Sequence, residues 1–253
     1  MASVSRGFAP KGSADGTPIR LASYVSLLQL SDSAFPSGRY TLSYGLEAFA
    51  QGGFLTQPSR RSTLVALLGD YIRFGVAPSD GVALACAHRA ADPHGVLNLE
   101  LATRIDERLT AVKVAREARE ASTRAGRALL ATATAAFAEV VLQSYAERVN
   151  DGRSPGNHAV VLGLLSARLG VPRLEAVAGE LYAFSASWVA AAVRLAVTDH
   201  RTAQGLLHQV RVVIADAALK AVDRDLRHIC SCTPCPDVMA MRHELVELRL
   251  FSS

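Results

Sequence analysis

The sequence predicts an all-α protein, built as a single globular domain of about eight to eleven helices. Half of its 253 residues are hydrophobic but only 6% are aromatic, and this mixture of small aliphatic side chains suits packed helices better than a sheet. No stretch of useful length alternates apolar and polar residues as a half-buried strand does. A chain of this length can bury one large core without dividing into two domains.

The N-terminal region, residues 1–20, is rich in Gly, Ser and Pro and is predicted to be a disordered tail. It has no apolar run of the roughly 7–15 residues that a secretory signal needs. Four cysteines without such a signal indicate free thiols in a reducing compartment, and we expect a cytoplasmic protein. Charged or polar residues interrupt each apolar run before about 18 residues, so no membrane span is expected.

Apolar spacing and Gly or Pro punctuation define the elements of the first half of the chain. Leu21, Val25 and Leu28 have the spacing of a first helix. The residues that follow, Phe35-Pro36-Ser37-Gly38, are typical of a β-turn with Pro second and Gly fourth. Further helices are predicted over Tyr40–Gln51, Thr56 to about Gly75, Asp80–Ala91 and Leu97–Val112.

In the second half, Gly and Pro again mark where helices start and stop. The predicted segments are a long helical region from Ala115 to about Arg148, then His158–Leu169, Pro172 to about Thr198, Gln204 to about Leu226, and Val238–Leu248. The most apolar run, Leu181 to Val193, belongs to a core helix, because Leu181, Phe184, Trp188 and Leu195 line one of its faces.

The motifs that would indicate an enzyme or a nucleic-acid binder are missing. The sequence has neither a G-x-x-x-x-G-K-[ST] phosphate loop nor a G-x-G-x-x-G motif after a strand. His243-Glu244 begins a zinc-protease-like pattern, but Glu247 stands where the second His is required. The net charge is +4, yet the arginines are scattered among acidic residues rather than clustered on one face. We therefore expect no catalytic residues and no nucleic-acid partner.

One segment has the composition of a metal site. His228, Cys230, Cys232 and Cys235 supply one imidazole and three thiols, a ligand set that suits zinc, nickel or Cu(I). The C-x-C step is tighter than the usual C-x₂₋₄-C spacing, and only half of a two-part site is present. Free thiols in an exposed loop are the preferred interpretation, and a metal-binding protein remains the alternative.

The densest run of charge extends from Arg116 to Arg127. Within it, Arg116–Glu120 and Glu120–Arg124 are spaced to form ion pairs on a helix surface. Arg124 and Arg127 have no carboxylate between or after them, and Gly126 requires a packing reason because glycine costs about 1 kcal/mol in a helix interior. A solvated face and a docking face are both consistent with this pattern.

The C-terminal segment continues an apolar stripe almost to the end of the chain. Met241, Leu245 and Leu248 have the spacing of one helix face. The stripe could fold onto the protein's own core or enter a groove on another protein. The spacing does not distinguish these alternatives.

Five segments in this order resemble the urease accessory protein UreF family. Asp32-Ser33-x-x-Pro36-x-Gly38, continued by Ser43-x-Gly45-Leu46-Glu47, is similar to its N-terminal signature. The other matching segments are Glu117–Arg127, Ala159–Gly163, Ala191–Leu195, and Met241–Glu244 with Arg249–Ser253. The likeness covers residues 21–253, in which residues 237–253 would be a docking tail; the thiols of Cys230, Cys232 and Cys235 lie outside the family pattern.

The resemblance implies a homodimeric, non-catalytic scaffold. Its partners would be UreD (also called UreH), the GTPase UreG and apo-urease, with nickel handled by the complex and no cofactor held firmly by this chain. The partner-binding residues would come from the turn, the charge run and the tail: Pro36, Gly38, Tyr40, Ser43, Tyr44, Glu47, Arg119, Glu120, Arg124, Arg127, Met241, Arg242, His243, Glu244, Leu245, Leu248, Arg249, Leu250 and Phe251. Tyr40 and Tyr44 combine a large contact area with a polar tip, which interfaces favour.

Overall fold

The computed structural model describes residues 21–39, 42–55, 60–91, 96–137 and 139–244. The predictions for residues 1–20 and for Tyr40, Leu245, Leu248, Arg249, Leu250 and Phe251 lie outside the described residues, as does the side chain of His243. The helices are α1 (Leu21–Ser31), α2 (Leu46–Gln51), α3 (Arg60–Asp70), α4 (Val82–Ala90), α5 (Leu99–Val112), α6 (Arg116–Ala136), α7 (Gln143–Asn150), α8 (His158–Arg168), α9 (Arg173–Arg194), α10 (His200–Ala221) and α11 (Pro234–His243).

The all-α prediction is confirmed. A π-helical segment, Tyr71–Gly81, joins α3 to α4, and short 3₁₀ turns occur at Val140–Leu142 and Leu226–His228. The described ranges contain no strand, only an isolated bridge between Ala91 and Leu97.

Helix α8 lies at the centre of the fold. Every residue from His158 to Ala167 is buried, as expected for a helix that is apolar on all sides. It packs most closely against α4 and α6, and α9 packs on α10. Trp188 of α9 and Tyr145 of α7 are the largest fully buried side chains among the described residues.

Helix α9 is long and apolar enough to cross a membrane by length and composition alone, and 61% of its most apolar stretch is buried inside the protein. Leu181, Phe184 and Trp188, which were predicted to line its core face, are all buried. Leu195, predicted to lie on the same face, comes after the end of α9 at Arg194 and is only partly buried.

The predicted helix end near Gly75 is wrong. The chain stays helical from Arg60 to Ala90, passing through Gly75 and Pro78 in the wider π-helical segment. Pro78 lacks an N–H, so the carbonyl of Phe74, four residues earlier, loses its α-helical donor. The backbone N–H of Cys232 donates to that carbonyl at 2.8 Å. The Phe74 carbonyl, which Pro78 cannot serve in an α-helical register, therefore has a donor from a distant segment, and the chain stays helical past Pro78.

Other predicted boundaries also move. The region expected to be helical from Ala115 to about Arg148 is broken after Ala136, and α7 restarts only at Gln143. Helix α2 begins at Leu46 rather than Tyr40. Helix α10 starts earlier than expected because Asp199 caps it, accepting hydrogen bonds from the N–H groups of residues 201 and 202 at 2.9 and 3.0 Å.

Asp106 of α5 fixes the loop between α7 and α8. Its carboxylate, 0% exposed, accepts hydrogen bonds from Tyr145 Oη at 2.7 Å, Ser154 Oγ at 2.8 Å and the backbone N–H of Asn157 at 2.9 Å. Burial and the neighbouring carboxylate raise the pKa of Tyr145, so its hydroxyl stays protonated as a donor. A buried carboxylate is stable here because donors surround it.

Candidate interaction surface

The turn segment, defined as residues 31–47, is held by local backbone geometry. Asp32 begins it, accepting the N–H of Ala34 on Oδ1 at 2.8 Å and that of Phe35 on its carbonyl at 3.1 Å. Farther along, Tyr44 and Gly45 adopt consecutive positive φ angles of 53° and 77°. Such angles are unfavourable for a tyrosine, so the surrounding structure must hold this residue in place.

Tyr44 is held from two sides. Its carbonyl accepts a hydrogen bond from the Tyr71 hydroxyl, and its ring packs edge-to-face on Phe184 with 4.8 Å between the ring centroids. Gly45 lies under α11, where an added Cβ would stand 3.3 Å from Ala240 N and 3.4 Å from Pro236 O. Tyr44 is therefore only partly exposed, and its contact with a partner stays a prediction.

A buried ion cluster anchors the turn segment to α9. Arg39 donates to Glu180 at 2.7 Å, with the two side chains 12% and 5% exposed. His158 Nδ1 lies 3.7 Å from the other carboxylate oxygen. Burial alone would raise the pKa of Glu180, but Arg39 and then His158 lower it to about 2. Burial opposes the charge of Arg39 as well, yet Glu180 and Tyr44 raise the pKa of Arg39 overall.

The turn segment has an inner and an outer side. Ser43 and Glu47 are 0% and 1% exposed, so in this conformation they belong to the fold and do not reach another protein. Pro36 and Gly38 are exposed. The partner-binding prediction can therefore apply directly to Pro36 and Gly38, whereas Ser43 and Glu47 support the segment from within.

The charge run forms the first half of α6 and also has two sides. Glu120, Arg124 and Arg127 are exposed, and Arg116 Nη1 lies 3.5 Å from Glu120 Oε1. Arg119 instead turns back and donates to the carbonyls of Lys113 and Val114, both at 2.7 Å. Arg119 thus has a structural role, since it satisfies carbonyls after the end of α5, and its contact with a partner stays a prediction.

Gly126 has the packing reason that the sequence required. An added Cβ would lie 1.9 Å from the carbonyl oxygen of Gly156 and 2.9 Å from Asn157 C and His158 N. The neighbour is the loop that Asp106 fixes, so the close approach is made within this chain.

The beginning of the predicted docking tail folds onto its own chain. Met239 of α11 is buried, while Met241 and Arg242 are exposed. Glu244 accepts the N–H of Glu117 on Oε1 at 3.1 Å, and its Oε2 lies 3.6 Å from Arg116 Nε. Because Ala115 gives α6 no side-chain cap, Glu244 takes that role.

The thiol segment is attached to the core through its backbone. The N–H groups of Cys230 and Cys232 donate to Pro78 O at 3.1 Å and Phe74 O at 2.8 Å, while their thiols and that of Cys235 are exposed. His228 Nδ1 accepts the N–H of Asp225 at 3.2 Å. Within the described part of the chain no three His, Cys, Asp or Glu side chains are placed to hold a metal ion.

A cavity of about 130 Å³ lies where the turn segment, α6, α9 and α11 meet. Its walls include Arg39, Lys113, Glu117, Ser122, His158 and Glu180. Lys113 Nζ pairs with Asp80 at 2.8 Å. Ser122 Oγ is buried without a hydrogen-bond partner among the described residues. Sequence reasoning did not single out Glu180 or Asp80; the available signal was a lone carboxylate within a segment that is otherwise apolar or small.

The sequence is similar to proteins of one family. The family model called UreF matches residues 59–211. The urease accessory protein UreF of Trichodesmium erythraeum is 31% identical over 236 residues, which cover 92% of this chain and 98% of the relative. That of Lachnoclostridium phytofermentans is 30% identical over 231 residues, covering 90% and 98%. The urease accessory protein UreF 2 of Brucella canis is 30% identical over 235 residues, covering 91% and 92%.

Proposed function

The chain belongs to the UreF family of urease accessory proteins, and we propose that it is a non-catalytic scaffold. In this proposal a homodimer of the chain bridges UreD (UreH) and the GTPase UreG on apo-urease. The complex then inserts nickel, its cargo, in a GTP-dependent step.

The observation that supports the proposal best is the convergence of the turn segment, α6 and α11. Each contributes to the wall of one cavity: Arg39 from the turn segment, Glu117 from α6 and Ala240 from α11. These three segments, far apart in sequence, are held by internal contacts that leave Pro36, Arg127 and Met241 on the outside. A rigid interior with side chains fixed on its outer face is what a scaffold requires.

The charged groups of the cavity also favour a structural role. Arg39 is paired with Glu180, and Lys113 with Asp80. General acid–base catalysis needs a group whose proton can be exchanged near neutral pH, whereas the pKa of Glu180 is lowered to about 2. This carboxylate is therefore suited to hold Arg39 rather than to transfer protons.

The first experiment tests the UreD contact. A variant that ends at Glu244 lacks residues 245–253 but keeps the cap of α6, so circular dichroism should show that its helix content is largely intact. We expect it to lose co-purification with tagged UreD. Removal of residues 1–20, which lie outside the UreF-like region, is the control and should leave the yield unchanged. Undiminished capture by the shortened chain would contradict the tail assignment.

The second experiment tests the UreG contact. The double variant Arg124→Glu/Arg127→Glu reverses charge on exposed positions of α6, and we expect at least a tenfold loss of UreG capture by the complex with UreD. The matched control is Arg104→Glu/Arg201→Glu, which reverses two exposed arginines on α5 and α10. Equal capture of UreG by both double variants would reject the α6 face.

A further inference from the structure

A second pocket lies between the π-helical segment and α10. Its volume is about 330 Å³, which is within the range of sites that bind small ligands. Apolar side chains line it, among them Pro78, Val82 and Phe74, and the Phe74 side chain is 52% exposed. A small molecule, or one half of it, can therefore pack here against apolar surface.

Basic side chains give this pocket a positive charge. Arg73, Lys220 and Arg224 line it together with one acidic residue, Asp216, so the net charge of its lining is +2. Lys220 Nζ pairs with Asp216 Oδ2 at 2.7 Å, whereas neither arginine forms an ion pair within the described part of the chain. Guanidinium groups match the geometry of carboxylates. The pocket therefore favours a ligand that carries carboxylates.

Two exposed thiols lie beside the wall of the pocket. The backbone N–H of Cys232 donates to Phe74 O at 2.8 Å and that of Cys230 to Pro78 O at 3.1 Å. Phe74 and Pro78 both line the pocket. Because a cysteine Sγ is only a few bonds from its own backbone nitrogen, these hydrogen bonds hold both thiols near the wall. Both cysteines are exposed, so a ligand in the pocket can reach them.

The other two cysteines provide contrasts within the same chain. Cys86 is buried, and burial raises the pKa of its thiol, so it is protected from small disulfides in the folded protein. Cys235 is exposed, but it lies in the first turn of α11 and outside the pair that bonds to the pocket wall. Cys235 therefore serves as the reference for an exposed thiol without the pocket.

We propose that Cys230 and Cys232 form a modification site for a low-molecular-weight disulfide that carries carboxylates. One half of that molecule lies in the pocket against Arg73 and Arg224, which places its S–S bond at the thiols. Reactive cysteines are typically found in electropositive, partly exposed surroundings of this kind. The inference goes beyond the proposed function and does not depend on it.

The modification is a thiol–disulfide exchange. The thiolate of Cys230 or Cys232 attacks one sulfur of the small disulfide, a new S–S bond to the protein forms, and the S–S bond of the small disulfide breaks. The other half leaves as a thiolate and takes up the proton that the cysteine released. The cysteine sulfur is oxidised and the leaving sulfur is reduced, so the small disulfide itself is the oxidant.

The test uses the full chain with one exposed thiol at a time, so that no neighbouring cysteine displaces the adduct. Cys232→Ser/Cys235→Ser keeps Cys230, Cys230→Ser/Cys235→Ser keeps Cys232, and Cys230→Ser/Cys232→Ser keeps Cys235. Mass spectrometry follows adduct formation with glutathione disulfide, which has more carboxylates than ammonium groups, and with the uncharged hydroxyethyl disulfide. The ratio of the first rate to the second, the rate ratio, removes the intrinsic reactivity of each thiol.

We expect the rate ratio to be at least about tenfold higher for Cys230 and Cys232 than for Cys235, because only the first two lie beside the positive pocket. It should fall as salt is added, since dissolved ions screen the arginines. Equal rate ratios at the three thiols would overturn the proposal, and so would rate ratios at Cys230 and Cys232 that do not change with salt.

Pocket variants test the arginines directly in the chain that keeps Cys232. Arg73→Ala/Arg224→Ala should lower the rate ratio to the value of the Cys235 chain, while Arg73→Lys/Arg224→Lys retains the charge and should retain most of the ratio. The control Arg127→Ala/Arg201→Ala removes exposed arginines of α6 and α10 that do not line the pocket and should leave the ratio unchanged.

Circular dichroism and thermal unfolding confirm that each pocket variant is folded. A folded alanine variant with an undiminished rate ratio would overturn the proposal. A control variant whose rate ratio falls as far as that of the pocket variant would overturn it too, since the general positive charge of the chain would then account for the selectivity.

Discussion

The inner and outer sides of the segments that resemble the UreF family differ in what they contribute. On the inner side, Gly126 touches the loop before α8 and Arg39 pairs with Glu180. On the outer side, Arg127 and Pro36 are exposed. A motif of this family therefore combines residues that build a shape with residues that present it. Substitutions on the two sides should separate stability from partner binding.

The largest effect is expected at Gly126. In Gly126→Ala the new methyl group would stand 1.9 Å from Gly156 O, so α6 and the loop must move apart, at a cost of about 3 kcal/mol or more in the free energy of unfolding. Urea denaturation measures it. The control is Gly205→Ala in α10, where the new Cβ would be 3.0 Å from the tip of Arg61. That side chain can move, and the control should be neutral or stabilising by up to about 1 kcal/mol. Equal effects of the two variants would contradict the close approach.

The next effect concerns the buried ion pair. Glu180→Gln leaves Arg39 charged and buried without its anionic partner, and we expect a loss of about 3 kcal/mol in unfolding free energy. Glu100→Gln is the matched control, because Glu100 also pairs with an arginine, Arg148, but its side chain is 77% exposed. Its loss should be much smaller, because an ion pair with an exposed carboxylate is screened by water. Comparable losses would indicate that burial does not determine the strength of the pair.

The same pair predicts a pH dependence. The pKa of Glu180 is lowered from 4.5 to about 2 in the folded protein, so its contribution to stability is complete above pH 4.5 and is lost as the pH falls towards 2. The difference in unfolding free energy between wild type and Glu180→Gln should therefore shrink over this interval. Denaturation curves at several pH values measure it, and a constant difference would contradict the assignment.

The smallest effect on the free energy of unfolding is expected at Glu244, which caps the start of α6. Glu244→Ala removes the carboxylate that accepts the Glu117 N–H, and we expect a loss of about 1 kcal/mol in unfolding free energy. Glu120→Ala removes an exposed carboxylate paired with the same Arg116 and should cost less than about 0.5 kcal/mol. Chemical denaturation compares them. A Glu120 variant as unstable as the Glu244 variant would contradict the capping role.

The sequence was informative where a residue type is found in few structural settings, as glycine is inside a helix. A glycine inside the charged helix required a close neighbour, and Gly126 has one; the all-α class followed from composition and periodicity. Glu180 could not be recognised, because a single carboxylate on an apolar helix normally marks its solvent face. Its partner Arg39 comes from a segment 141 positions away. The internal hydrogen bonds of Arg119 and Glu244 could not be predicted for a related reason, since exposed and internally bonded charges look alike in sequence.

The helix end predicted near Gly75 failed on another long-range contact. Local rules correctly identify Pro78 as a residue that breaks helices, but they cannot anticipate that the N–H of Cys232 will reach the Phe74 carbonyl. The error shows the limit of local sequence rules, since the Cys232 donor lies in a loop more than 150 residues later in the chain.

The hydrogen bond from Cys232 to the Phe74 carbonyl couples Pro78 to the loop of residues 230–232. A homologue with another residue at position 78 would have one more backbone N–H inside this helix, and the contact from residues 230–232 would matter less to it. Where the proline is kept, a deletion in the loop removes the Cys232 donor and should lower stability. The two sites are thus expected to change together across the family's descent.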